Sequence, residues 1–110
     1  MSAWPGEIRL NPARDTLHIA FDNGESFALA AEYLRVESPS AEVQGHGGAK
    51  QIVAGKENVK IARLEPVGNY AIRIVFDDGH DSGLYAWDYL YRLGREHDAI
   101  WADYLRARGT

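Results

Sequence analysis

Polar and apolar residues alternate most regularly in two stretches. Residues 16–22 read TLHIAFD, setting Leu17, Ile19 and Phe21 against His18, Ala20 and Asp22. Residues 70–77 read YAIRIVFD, with Ile72, Ile74 and Phe76 on one side. A period of two places alternate residues on opposite faces, so each stretch predicts a half-buried strand. Asn23-Gly24 follows the first and Asp78-Gly79 the second. Such pairs supply the positive φ angles of tight hairpin turns, predicting return strands over 25–29 and 80–84. Shorter strands are expected upstream, over 7–10 and 58–64, with turns at 11–15 and 66–69.

The period then lengthens. AAEYLRVE, after Leu29, predicts a helix of two turns at most, with Leu29, Tyr33 and Val36 as its buried stripe and Pro39 as its stop. From Tyr85 a longer helix is predicted to about Arg108, because Leu90, Leu93, His97, Trp101 and Tyr104 recur at steps of three or four. Gly94 lies inside it at a cost of about 1 kcal/mol relative to Ala, and is where it would divide in two. The halves are alike. LNPARDTLHIAFDNGES leads into EYLR, and LEPVGNYAIRIVFDDGHDS leads into DYLYR. A duplicated unit would produce this likeness, and so would any two hairpins each followed by a helix. Both origins predict an α+β fold: antiparallel strands in two hairpin groups, each followed by a helix, with a long C-terminal helix that breaks, if anywhere, at Gly94.

Composition narrows the classes. The 110 residues suit one domain, 1–110, and the net charge of −4 disfavours nucleic acid. The absence of cysteine excludes disulfides, thiol catalysis and cysteine-based zinc or iron–sulfur sites. No apolar run approaches the ~18 residues of a membrane span. No signal-peptide pattern opens the chain, so a cytoplasmic protein is expected.

Candidate chemistry is sparse. FDDGHDSG, at 76–83, gathers carboxylates around His80, but the twelfth position counted from Asp78 is Tyr89, not the Glu of a calcium loop. His18, His46, His80 and His97 contain no His-x-Asp pair for an iron facial triad. Gly45-His46-Gly47-Gly48 lacks the Gly-Lys-Ser/Thr ending and flanking elements of a phosphate loop. No serine sits in a nucleophile-elbow context. No catalytic residue and no cofactor are therefore expected. If the Asp-Gly-His turn does hold a metal or small ligand, His80, Asp81 and His46 are its candidate residues. Aromatics crowd the last helix, and Tyr85, Trp87 and Tyr91 are the candidate surface for a protein partner. One stretch, VESPSAEVQGHGG at 36–48, has no period at all and predicts a long irregular loop reaching about Gly55.

LRVESPSAEV, followed by LEPVGNYAIRIVFDDGHDSGLYAWDYL, resembles the gamma-butyrobetaine hydroxylase-like N-terminal domain, a domain of unknown function. The likeness covers nearly the whole chain. Its specific part is the run VG-x-YA…I-x-F-x-DGH-x-x-G-x-Y-x-W-x-YL. The family occurs alone in small bacterial proteins and fused to dioxygenases and to iron–sulfur assembly ATPases. The resemblance therefore implies a noncatalytic accessory or protein-interaction module linked to iron or iron–sulfur metabolism. The alternative is a metal- or small-ligand-binding protein using the Asp-Gly-His turn. In the dioxygenases, three cysteines of the irregular loop and a histidine of that turn bind structural zinc. Ser38, Ser40 and Val43 stand at the cysteine positions here and His80 at the histidine position, so the resemblance implies a chain that folds without the metal.

Overall fold

The computed structural model describes residues 4–39, 55–80 and 83–108. Strands β1 (Pro5–Leu10), β2 (Thr16–Phe21) and β3 (Ser26–Ala30) form an antiparallel sheet in the order β1-β2-β3, and helix α1 (Ala31–Val36) follows. Strands β4 (Ile61–Val67), β5 (Ala71–Phe76) and β6 (Leu84–Ala86) form a second antiparallel sheet in the order β4-β5-β6. Helices α2 (Trp87–Arg95) and α3 (His97–Arg108) complete this α+β fold. Leu17, Ile19 and Phe21 of β2 point into the same buried cluster as Ile72, Ile74 and Phe76 of β5, together with Tyr33, Leu34, Leu90 and Leu93 from the helices. Burying one such aliphatic side chain contributes roughly 1.5–3 kcal/mol.

Several boundaries differ from the sequence pattern, each for a local reason. Strand β4 runs through Pro66 because it is an edge strand, where a missing N–H costs no ladder bond. Strand β6 is Leu84–Ala86 rather than a return over 80–84, with Asp81 and Ser82 lying outside the described residues. The helix accordingly starts at Trp87, which leaves Tyr85 a strand residue. The long helix breaks at Glu96, not at Gly94. Gly94 has a different role: a Cβ there would lie inside the 3.0 Å that real Cβ atoms essentially never breach, against the ring of Phe27. Its size, not its backbone freedom, lets α2 settle on β3.

The two halves are one unit built twice. Gly24 N–H donates to Phe21 O and Phe21 N–H to Glu25 O, at 3.1 and 2.8 Å; Gly79, Phe76 and His80 repeat this at 3.2 and 2.9 Å. Only the glycine of each turn has positive φ, 91° for Gly24 and 93° for Gly79, so each turn is the three-residue hairpin with a glycine bulge rather than the two-residue mirror turn. Asp22 N–H donates to Trp4 O, and Asp77 N–H donates to Lys60 O. Each aspartate also accepts the backbone N–H of that same partner. Ala31 N–H opens α1 on Asp15 O, and Trp87 N–H opens α2 on Tyr70 O. The register irregularity between Pro5 and Glu7 recurs between Ile61 and Arg63. Any hairpin followed by a helix gives a similar string; it does not give the same set of hydrogen bonds from bulge to turn to helix start.

Candidate functional site

The Asp-Gly-His turn gathers more polar contacts than its sequence suggests. Asp78 Oδ1 accepts the His80 N–H at 3.0 Å, the local bond by which aspartate stabilises a turn. Its Oδ2 accepts from Arg35 Nε at 2.9 Å and from Lys56 Nζ at 2.7 Å. The turn's backbone faces solvent, but the Asp78 side chain is only 20% exposed. Burial alone would raise its pKa; hydrogen bonds from Lys56, the His80 N–H and Arg35 outweigh that and hold it at about 2. Arg35, supplied by α1, is buried, and its Nη1 makes no hydrogen bond among the described residues.

His80 is buried, and its Nε2 lies 2.9 Å from Oγ of Ser38, which is wholly buried just beyond α1. Gly83 makes this approach possible: a Cβ there would fall 2.6 Å from Ser38 Oγ and 2.9 Å from the Tyr85 ring. Around the first hairpin the counterparts of His80 and Gly83 are Glu25 and Phe27, and the counterpart of Ser38 is Gly94 of α2, supplied by the other half. There, a phenylalanine ring fills the space over a glycine. In the second unit the glycine has moved to the strand, and a serine–histidine contact fills the gap.

Of the four positions at which the resemblance places zinc ligands, Ser38 and His80 are thus brought together. Ser40 and Val43 lie outside the described residues, as do His46 and Asp81. The described residues do not fit a metal ion. The chain has no thiolate. A serine hydroxyl is a poor zinc ligand, and the cations Arg35 and Lys56 converge on the carboxylate beside His80. Among the described residues no group of three His, Cys, Asp or Glu side chains could hold one.

Of the three aromatics expected at the surface, Tyr85 lies in the core. Tyr85 is fully buried, with its hydroxyl donating to Leu34 O, and cannot face a partner. Strand alternation sends it inward, between the outward Leu84 and Ala86. Tyr91 is half-buried against Phe21 and Phe27, and its hydroxyl donates to the Glu25 carboxylate, holding that group below the usual range. Trp87 is half-buried with its indole N–H on Asn69 O at 2.9 Å. The large apolar side chains left in solvent near it are Tyr70, 55% exposed, and Leu84, 42% exposed. Alternation from buried Tyr85 would have exposed Leu84 in the sequence, had the strand been placed correctly. Tyr70 carries no such signal, because it lies in the turn.

The family described as gamma-butyrobetaine hydroxylase-like, N-terminal, matches residues 8–91. None of the curated proteins matches the chain. Two solution NMR structures are similar, one at 50% identity and TM-score 0.83 over 97% of this chain and 85% of the other, the second at 46% and 0.82 over 99% and 84%. A crystal structure of a protein of unknown function from Acidithiobacillus ferrooxidans, of the DUF971 family, is 39% identical with a TM-score of 0.69, over 81% of this chain and 90% of that one.

Proposed function

The chain belongs to the gamma-butyrobetaine hydroxylase-like N-terminal family, whose function is not known, and from that premise we propose that it is a noncatalytic cytoplasmic module that docks onto another protein in iron or iron–sulfur metabolism. The observation that carries the reading is a difference between the two units. Around the start of α2 the second unit exposes Tyr70 and Leu84 and half-exposes Trp87. The first unit builds the same turn, strand and helix start with Asp15, Ala28 and Ala31 at the matching places. The backbone geometry therefore does not require large apolar side chains there. Apolar surface that the fold can do without is what a docking site provides. The link to iron rests on the family resemblance, through its fusions.

A ligand-binding role for the Asp-Gly-His turn is less well supported, since Asp78 is taken by Arg35 and Lys56 and His80 faces Ser38. Among the described residues no helix is long and apolar enough to cross a membrane.

A photo-crosslinking residue placed at Leu84, with the matching exposed position Ala28 as control, tests the reading in cells. A discrete adduct from position 84 and none from position 28 is the expected result. No adduct at 84, or the same adducts from both positions, would overturn it.

A further inference from the structure

We infer that the Asp78–His80 turn takes the place of a metal ion in this chain: hydrogen bonds and an ion triad pin Arg35, Ser38 and Lys56, which flank residues 40–54 in the sequence, to one point, and no metal is needed. The inference is independent of the docking reading. In the sequence these residues follow Ser38-Pro39 and precede Gly55-Lys56. On the incoming side, Ser38 meets His80 Nε2 at 2.9 Å, and Arg35, three residues earlier, meets Asp78 at 2.9 Å. On the outgoing side, Lys56 meets the same Asp78 oxygen at 2.7 Å. Three side chains thus close on a turn of three residues. The resemblance implies zinc at this turn in the dioxygenases, held by three cysteines and the turn histidine.

The His80 nitrogen is already occupied. A hydroxyl both donates and accepts, so Ser38 satisfies His80 Nε2 in either tautomer. A metal on that nitrogen would have to displace a fully buried serine oxygen. Nor is the neighbouring Asp78 carboxylate free to join it, since Arg35 and Lys56 both hold its Oδ2. Gly83 clears the space that Ser38 Oγ occupies, whereas around the first hairpin Phe27 lies on Gly94 of α2 instead.

The test uses the full chain without a tag, purified from medium supplemented with zinc and iron. Elemental analysis is expected to find metal far below one per chain. Excess chelator should leave the melting temperature unmoved, and Ser38→Ala should lower it. About one zinc or iron per chain, lost on chelation with a falling melting temperature, would overturn the inference. So would a melting temperature unmoved by Ser38→Ala. A second variant, S38C/S40C/V43C, is titrated with cobalt(II) after circular dichroism shows it folded. Thiolate–cobalt absorption saturating near about one equivalent, and weakened by adding His80→Ala, is expected if Ser38 and His80 stand at a metal position. A folded variant that takes up no cobalt would show that they do not.

Discussion

The Tyr33 hydroxyl donates to the Leu93 carbonyl at 2.7 Å, tying α1 to α2 across the boundary between the two units. The converse bond is also present: Tyr89 of α2 donates to the Glu37 carbonyl just past α1. Tyr33 matches Tyr89 in the duplicated unit, and Glu37 matches Leu93. A contact mirrored by its own counterpart is the mark of a twofold relation, here within one chain. Each tyrosine thereby satisfies a carbonyl that the last turn of the other helix leaves without an intrahelical donor. Burial, and then the charge of Glu37, raises the pKa of both hydroxyls, Tyr89 to about 12, so they remain neutral donors.

Removing those hydroxyls should therefore weaken the fold at the same joint from either side. Tyr33→Phe leaves a buried carbonyl unsatisfied and should cost ~1–3 kcal/mol. Tyr89→Phe, where water reaches more easily, should cost ~0.5–1.5 kcal/mol. Urea unfolding of each variant measures this, and two midpoints equal to that of the parent would show the joint to be dispensable.

Gly94→Ala should destabilise, although alanine is the better helix former by about 1 kcal/mol. The added methyl meets the Phe27 ring, and relieving such overpacking typically costs ~1–3 kcal/mol beyond that gain. Phe27→Ala removes the obstacle. The double variant should be more stable than the sum of the single effects allows, with a coupling of ~0.5–3 kcal/mol in a thermal double-mutant cycle. Additive effects would mean that Gly94 and Phe27 do not touch.

Asp78 sets an acid limb. Its pKa is about 2 in the fold against an ordinary 3.8, so its stabilising contribution is complete above about pH 4 and is lost as the pH falls from there through 2. Asp78→Asn should be less stable than the parent at neutral pH and should converge on it by about pH 2. Thermal melts across that window check the sign: a stability gap that stays constant from neutral pH down to pH 2 would mean the ion triad contributes nothing.

Much of this was legible in the sequence, and the exceptions share a cause. The alternation around Ile19 and Ile74 marked the buried faces of β2 and β5, and the 3–4 spacing marked Leu90 and Leu93. The repeat was visible in Phe-Asp-x-Gly and Tyr-Leu, although its hydrogen bonds were not. Local pattern misplaced β6 because Tyr85 follows Phe76 by nine residues where its counterpart Leu29 follows Phe21 by eight, and that one-residue difference turned Tyr85 from a core strand residue into an expected surface aromatic. Gly94 read as a helix breaker because its partner, Phe27, is distant in sequence. The resemblance paired Ser38 with His80, but no sequence signal joined Arg35 and Lys56 to Asp78. That ion triad depends on the packing of α1 against the second hairpin.

The second unit exposes Tyr70 and Leu84, side chains that the fold does not require. The most direct test of docking there gives the second unit the residues of the first: Tyr70→Asp, after Asp15, together with Leu84→Ala, after Ala28. The measurement is the amount of any protein co-purifying at fixed stoichiometry with this double variant, relative to the parent, alongside a thermal melt. Surface changes of this kind should leave stability within about 0.5 kcal/mol. A folded variant that has lost the partner retained by the parent is the predicted result; an equally folded variant that retains it in full would contradict the account.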